Sequence, residues 1–295
     1  MSDPCKEWVV GGSGLAHSGL HNPVGSGLYT AADLDGPYRK LGHSQLTPFS
    51  VLRQPKRLAI AANHGLWEWR RDLARYRQLH DETLTEVLGL AAIAGDPGLV
   101  VACPYGIATA VRDELGAARW TFHSDSPVPD ERFANALLID PARPDQWLVG
   151  TEAGVMVYAA EDDQWHRSDL MGTPVRALMA ARDRLWAGTD DRGIFTSEDG
   201  LQWQANGSAA GAVYALHDAG STLLAATQFG VLTGDGEWKP SGPHLPVTCI
   251  AARDDTTWAA GASPGGLWHT RDAGASWQQT GHFKHVRAVL APEEQ

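Results

Sequence analysis

One short pattern recurs along the whole chain and constrains its fold more than any other feature. A glycine followed by an aliphatic residue is found seven times, at Gly27-Leu28, Gly65-Leu66, Gly106-Ile107, Gly154-Val155, Gly193-Ile194, Gly230-Val231 and Gly266-Leu267. The steps between successive glycines are 38, 41, 48, 39, 37 and 36 residues. Each marker is followed by an aromatic residue, at Tyr38, Tyr76, Trp120, Trp165, Trp203, Trp238 and Trp277. A period of this length indicates a repeat architecture.

Four short strand-like runs surround each marker, which we name A to D. In the clearest unit they are Val175–Leu178, Leu185–Thr189, the run that starts at Gly193, and the run that starts at Trp203. Four strands per repeat of about 40 residues are typical of a β-propeller blade. The sequence therefore predicts an all-β fold. The predicted fold is a single seven-bladed β-propeller domain over residues 1–295, with four-stranded antiparallel blades and strand A innermost. The charged segment Trp67–Leu79 is interpreted as a strand pair rather than a helix.

The chain ends are complementary to each other. The first unit begins directly with a strand B, Trp8–Gly12, and lacks a strand A, whereas the C-terminus carries a spare strand A, Val286–Val289. We therefore expect the last strand to complete the first blade. Such closure removes the exposed sheet edges that favour aggregation.

The predicted turn between strands C and D carries a family resemblance. Residues Thr270–Trp277 fit the pattern S/T-x-D-x-G-x-x-W, Thr196–Trp203 fits it with Glu198 at the aspartate position, and Thr233–Trp238 is a shortened version. On these residues the chain resembles the Asp-box (bacterial neuraminidase repeat) propellers. In that family the boxes are structural turns on the face opposite the usual binding site. Because the chain lacks the F-R-I-P motif and a clear arginine triad of the sialidases, the resemblance implies a fold and not an activity.

Composition limits the partners and the location. The formal net charge is −11, which disfavours nucleic acid because phosphate backbones bind basic surfaces. No apolar run approaches the roughly 18 residues of a membrane span, and the N-terminal residues do not read as a signal peptide. Three cysteines without C-x-x-C spacing fit a reducing compartment. We therefore predict a cytoplasmic protein with no nucleic-acid or membrane partner.

Histidines gather on one predicted face, which suggests a metal. The B–C and D–A loops of a propeller share a face, here called the upper face, and we assign ten of the twelve histidines to those loops. His17 and His21 lie four residues apart in a glycine-rich loop, and His64 belongs to the next blade. These three could bind a divalent transition metal, zinc or iron. The alternative is that they are exposed polar residues without a common ligand.

The second residue of each strand A should line the channel at the upper face. These residues are Arg287, Ser50, Leu88, Asn135, Arg176, Tyr214 and Thr248 in blades 1 to 7. Of these, Arg176, Arg287, Tyr214 and Asn135 could bind a carboxylate, phosphate or sulfate group. The alternative is that neighbouring acids neutralise the arginines.

Acidic residues leave two functions open. Glu152 and Asp190 lie in the B–C loops of adjacent blades and, with His64, could act as general acid and base. Equally, they could pair with Arg176 or Arg192. The sequence thus favours binding of a small anionic ligand or a protein partner at the upper face. An acid/base or metal-assisted enzyme, a hydrolase or lyase, is the alternative. A scaffold without a site would leave the titratable residues of this face unexplained.

Overall fold

The computed structural model describes residues 6–14, 25–42, 46–55, 57–70, 72–95, 98–114, 117–124, 126–207 and 211–293. Its strands form seven four-stranded antiparallel sheets, so the predicted all-β seven-bladed propeller is confirmed. Within the described part of the chain a single short helix, α1 (Pro129–Arg132), precedes blade 4. Trp67–Leu79 forms strands, as predicted.

Each blade contributes one strand to each of four concentric layers. The innermost strands of blades 1 to 7 are β28 (Phe283–Leu290), β4 (Pro48–Gln54), β8 (Gly89–Ala92), β12 (Ala134–Ile139), β16 (Val175–Ala181), β20 (Val213–Asp218) and β24 (Cys249–Ala252). The second strands are β1 (Trp8–Gly14), β5 (Arg57–Ala62), β9 (Leu99–Cys103), β13 (Gln146–Thr151), β17 (Arg184–Thr189), β21 (Leu223–Thr227) and β25 (Trp258–Ala262). The third strands are β2 (Ser26–Ala31), β6 (Gly65–Arg70), β10 (Gly106–Arg112), β14 (Gly154–Ala159), β18 (Ile194–Ser197), β22 (Gly230–Gly234) and β26 (Gly266–Thr270). The outermost strands are β3 (Arg39–Lys40), β7 (Arg75–Gln78), β11 (Ala118–His123), β15 (Gln164–Met171), β19 (Gln204–Ala205), β23 (Lys239–Pro240) and β27 (Gln278–Gln279).

The hydrophobic core lies between neighbouring blades. Innermost strands contact one another in the ring order β28, β4, β8, β12, β16, β20, β24 and back to β28. Between blades 2 and 3, for example, Ala59 and Leu66 pack with Leu99, Val101 and Trp120. Because each sheet buries both faces against its neighbours, no blade can form a core alone.

The marker glycines are required by the backbone where strand C begins. All seven have a positive φ, between 76° and 157°. In four blades an added Cβ would also collide with a carbonyl oxygen of a residue in or after strand D, as at Gly154 against Leu170 and at Gly230 against Pro243. Only glycine combines this conformation with so close an approach. The sequence period therefore reports a repeated backbone constraint.

The ring closes as the sequence predicts. β28 pairs antiparallel with β1, with Val289 opposite Val10 and Val286 opposite Gly12. Val286 is fully buried in the core cluster between blades 7 and 1. A Cβ at Gly12 would collide with the His285 carbonyl oxygen, so the two strands approach closely at this point.

The predicted turn of blade 7 is stabilised by its own side chains. The Thr270 hydroxyl donates to Asp272 Oδ1 at 2.7 Å and accepts the Gly274 amide at 3.0 Å. Asp272 also accepts the Ser276 amide at 2.9 Å. These hydrogen bonds hold the pKa of Asp272 well below its usual range, at about 2, with the Ser276 hydroxyl as the largest cause.

In blade 5 the predicted alignment of this turn is wrong by one residue. The Ser197 hydroxyl accepts the Gly200 amide at 2.8 Å, and Asp199 Oδ1 accepts the Gln202 amide at 2.8 Å. Asp199, and not Glu198, is therefore the aspartate of the turn. In blade 7 one residue separates Asp272 from Gly274, whereas in blade 5 Asp199 directly precedes Gly200. The turn of blade 5 therefore starts at Ser197 and not at Thr196.

The predicted histidine bias is weaker than the sequence suggested. His166 lies within β15, His285 lies within β28, and His123 ends β11, so these three are strand residues and not loop residues. His123 links blades 3 and 4, because its Nδ1 contacts the Tyr158 hydroxyl at 2.9 Å. Their assignment to loops was wrong because strand D and the closing strand extend further than the repeat pattern indicates.

Folding should depend on the burial of the closing strand. We expect Val286→Asp to abolish cooperative folding, because it places a charge in a dry core between the first and last blades. Lys284→Asp, on an exposed position of the same strand, should leave the free energy of unfolding within about 0.5 kcal/mol of the wild type. Urea unfolding followed by tryptophan fluorescence measures both, and equal behaviour of the two variants would contradict the role of β28.

Two histidines, the buried His269 and the half-buried His217, should make the fold sensitive to acid. Burial lowers the pKa of His217 and of His269 below the usual 6.5. Below that value the unfolded chain binds protons that the folded chain does not, so stability is complete above about pH 6.5 and falls as the pH decreases.

The measurement is the difference in urea midpoint between about pH 7.5 and about pH 5.5. The double variant His217→Gln/His269→Gln should show a smaller difference than the wild type. His166→Gln, at an exposed histidine, should show the wild-type difference. An unchanged pH dependence in the double variant would refute the assignment.

Candidate functional site

A cavity of about 290 Å³ lies at the axis of the ring, where the innermost strands begin. All seven blades contribute to its lining. The chain enters these strands from the D–A loops, so the cavity is the upper end of the channel.

A repeated β-bulge shapes the wall of this cavity. In five blades a residue of the innermost strand on the cavity wall has no partner opposite it, and these residues are Phe49, Asn135, Arg176, Tyr214 and Arg287. A bulge bends the strand and redirects a side chain. Leu88 and Thr248 take the equivalent position directly before β8 and β24. We call these seven residues the mouth ring, and all of them line the cavity.

The mouth ring agrees with the predicted channel lining in six blades and differs in blade 2. There the sequence indicated Ser50, which also lines the cavity but pairs with Ala61, whereas Phe49 is the bulged residue. The ring thus gains an aromatic side chain. The sequence prediction placed this strand by its aliphatic residues and therefore missed Phe49. In the structure β4 already begins at Pro48, so that Phe49 is its second residue.

Arg176 is held between two carboxylates. Its Nη1 donates to Glu152 Oε1 at 2.6 Å, its Nη2 donates to Asp190 Oδ2 at 2.7 Å, and its Nε donates to Asp190 Oδ1 at 3.0 Å. These hydrogen bonds, with that to Asp190 the largest cause, raise the pKa of Arg176 above its usual value. Asn135 donates its amide to Glu152 Oε1 at 3.2 Å. The geometry therefore matches the alternative in which neighbouring acids neutralise this arginine.

Arg287 has different surroundings at the equivalent ring position. Its Nε donates to Ser263 Oγ at 3.3 Å, and its guanidinium lies 5.7 Å from the centre of the Phe49 ring. Ser263 Oγ also contacts His285 Nδ1 at 3.2 Å. Among the residues that the structure describes, no carboxylate forms an ion pair with Arg287. Sequence reasoning identified this arginine but missed Ser263, His285 and Phe49.

A single position explains the difference between the two arginines. Each one contacts the residue that directly follows the second strand of the preceding blade. This residue is Glu152 after β13 for Arg176, and Ser263 after β25 for Arg287. Comparison of these post-strand residues between repeats is the sequence signal that could have separated the two arginines.

The three predicted catalytic residues are not brought together. Glu152 and Asp190 meet at Arg176, but His64 lies on the exposed turn between β5 and β6 of blade 2. The backbone carbonyl of His64 accepts the Trp67 indole N–H at 2.9 Å, and its side chain is not part of the cavity wall. No described contact joins it to either carboxylate.

The predicted metal site falls mostly outside the described residues. His17 and His21 are among the residues whose placement the structure does not describe. Within the described ranges no group of three or more histidine, cysteine, aspartate or glutamate side chains is arranged to hold a metal ion. A zinc or iron site at His17, His21 and His64 stays a prediction.

Comparisons with known proteins support the fold. No protein-family model and no curated protein matches the chain. The extracellular domain of a proposed hybrid two-component system from B. thetaiotaomicron has a similar structure, with a TM-score of 0.66 and 17% identity over 89% of this chain. The computationally designed Ika8 protein gives 0.63 and 17% over 94% of this chain and 90% of its own. The WD40 repeats of RRP9 give 0.62 and 14% over 85% of this chain and 86% of their own.

These similarities define the chain as a β-propeller and reach no further. The chain spans 38% of the length of the extracellular domain that it matches. At identities of 14–17% the likeness is one of fold alone. None of the described helices is long and apolar enough to cross a membrane.

The ion-pair cluster at Arg176 should matter for stability. Arg176→Leu leaves two partly buried carboxylates without their shared cation, and we expect a loss of about 1–2 kcal/mol. The loss should shrink when Glu152→Gln and Asp190→Asn are introduced into the same variant. Arg192→Leu, at an exposed arginine of the loop that also holds Asp190, removes one hydrogen bond to the Met171 carbonyl oxygen and should have a smaller effect. Urea unfolding measures all three, and equal losses for Arg176 and Arg192 would contradict the assignment.

Proposed function

We propose that the channel mouth binds a small anionic ligand and that Arg287 is the residue that holds the anion. The observation that carries this proposal is the contrast within the mouth ring. Both arginines stand at a bulge and line one cavity. Arg176 forms ion pairs with two carboxylates, whereas no described carboxylate pairs with Arg287.

The chemistry of the surrounding residues supports an anion at Arg287. A guanidinium offers several planar donors that match a carboxylate, phosphate or sulfate group. The guanidinium lies over the Phe49 ring, and this contact favours its position at the cavity wall. Thr248 also lines the cavity, and its hydroxyl donates to the carbonyl oxygens of Gly261 and Val286 at 3.3 Å. The volume of about 290 Å³ lies at the lower end of the range for ligand pockets, so the ligand is small.

We infer binding rather than catalysis at this site. Both candidate acid/base carboxylates, Glu152 and Asp190, form ion pairs with Arg176, and His64 does not contact them. The enzyme alternative would need Arg176 to release one of its partners.

A protein partner on the same upper face is the second candidate. Tyr105 and Phe229 lie on turns between the second and third strands of blades 3 and 6, and they are 60% and 59% exposed. Exposed aromatic side chains are frequent anchors of protein interfaces. Membership of the Asp-box propellers and a cytoplasmic location are further inferences that rest on the sequence.

Substitution of Ser263 gives the sharpest test, because it leaves Arg287 itself in place. Ser263→Glu should give Arg287 a carboxylate at the position where Glu152 binds Arg176, and it should block the site. We would titrate acetate, butyrate, caproate, inorganic phosphate and sulfate into the protein by calorimetry. At least one should bind the wild type, and its affinity should fall about tenfold or more in Arg287→Ala and in Ser263→Glu.

Two controls complete this test. Ser263→Ala and Lys284→Ala should keep the wild-type affinity, and thermal unfolding should show that every variant is folded. Binding of no anion to the wild type, or equal binding to wild type and Arg287→Ala, would overturn the proposal.

A further inference from the structure

Directly after the mouth ring, the wall of the channel becomes aliphatic. In six blades the residue two positions after the mouth-ring residue lines the same cavity, and it is always a valine or a leucine. We call these six residues the aliphatic layer, and they are Val51, Leu90, Leu137, Leu178, Leu216 and Val289.

The aliphatic layer keeps apolar surface that the cores between the blades do not cover. Leu90, Leu137, Leu178 and Leu216 are only half-buried, although they lie in innermost strands. Each of them packs against the core between its own blade and the preceding blade. Because all four also line the cavity, their uncovered surface faces the channel.

The cavity extends far enough along the strands to hold a chain of several carbon atoms. Its wall includes four consecutive residues of β28, from Arg287 to Leu290. At a rise of about 3.3 Å per residue, these residues cover about 10 Å of strand. The guanidinium of Arg287 and the aliphatic layer therefore belong to one continuous space, with the charge at the upper end.

The polar groups of the wall favour a single anionic group. Nε of Arg287 donates to Ser263, so the donors of its two Nη atoms can bind a ligand. Arg176 already pairs with two carboxylates. Among the described residues that line the cavity none is an aspartate or a glutamate, so no acidic lining residue repels an anion. A wholly polar ion such as phosphate would have to bring its charge against the leucines, which costs free energy.

We propose that the ligand is an amphiphilic anion, a monocarboxylate with an unbranched aliphatic chain, whose carboxylate binds Arg287 and whose chain lies against the aliphatic layer. This inference rests on the proposed anion site at Arg287 and adds the class of the ligand. Burial of the chain supplies affinity that an ion pair in contact with water does not. The ion pair in turn fixes the orientation of the chain in an otherwise apolar space.

A series of ligands with one head group and increasing chain length tests this inference. Acetate, butyrate, caproate and caprylate would be titrated into the whole chain by calorimetry. We expect the affinity to rise about threefold for each added methylene until the cavity is filled, and therefore about tenfold or more from acetate to caproate.

Two further probes separate the chain from the charge. The anion ε-hydroxycaproate ends its chain in a polar group, and caproamide has the chain of caproate without the charge. Both should bind the wild type about tenfold more weakly than caproate or worse. This comparison needs no variant, so it does not depend on the folding of any substituted protein.

Substitutions in the aliphatic layer test where the chain lies. Leu178→Thr and Leu216→Thr each place a hydroxyl group in the layer, and each should lower the affinity for caproate about threefold or more while leaving that for acetate unchanged. Leu201→Thr is the matched control, at an exposed leucine on the turn between the third and fourth strands of blade 5. Thermal unfolding identifies the variants that are folded.

The outcomes separate this inference from the proposed function. Equal affinities for acetate and caproate, both lost in Arg287→Ala, would overturn the aliphatic chain and leave the anion site in place. An advantage of caproate over acetate that is unchanged in both Leu178→Thr and Leu216→Thr would also overturn it. Failure of every carboxylate to bind, or equal binding to the wild type and to Arg287→Ala, would overturn both proposals.

Discussion

The pairing of β28 with β1 is the interaction on which the rest of the molecule depends. It joins the last strand to the first blade, removes two sheet edges and lets seven interblade cores form in a closed ring. The same strand buries Val286 and carries Arg287 at the channel mouth. The same strand therefore closes the fold and completes the candidate site.

Backbone geometry, repeated in every blade, then places the functional side chains. A glycine with positive φ lies at the start of each third strand, and a mouth-ring residue lies in or directly before each innermost strand. The bulge at that position directs a side chain toward the axis whatever its chemistry is, which is why Phe49, Asn135 and Arg176 can occupy equivalent places. The scaffold fixes where a side chain lies, and the residue type fixes what it can bind.

Neighbours from the adjacent blade decide the chemistry. Arg176 and Arg287 are equivalent in the repeat, but glutamate follows β13 and serine follows β25. One arginine is therefore neutralised and the other is not. The cavity is therefore lined by two unlike arginines, one paired with acids where blades 4 and 5 meet and one bonded to a serine at blade 1.

The sequence by itself determined the number of blades, their strands, the closure by Val286–Val289 and most of the mouth ring, because the backbone constraints at Gly154 and its six equivalents leave a periodic trace. It could not determine the environment of Arg176 or Arg287, since the deciding contacts join residues from different repeats. Nor could it place Phe49, because a bulge shifts the strand by one residue without changing its aliphatic pattern. Local geometry repeats along the chain and can be read there, whereas electrostatic partners are set across the blades and only the tertiary structure decides them.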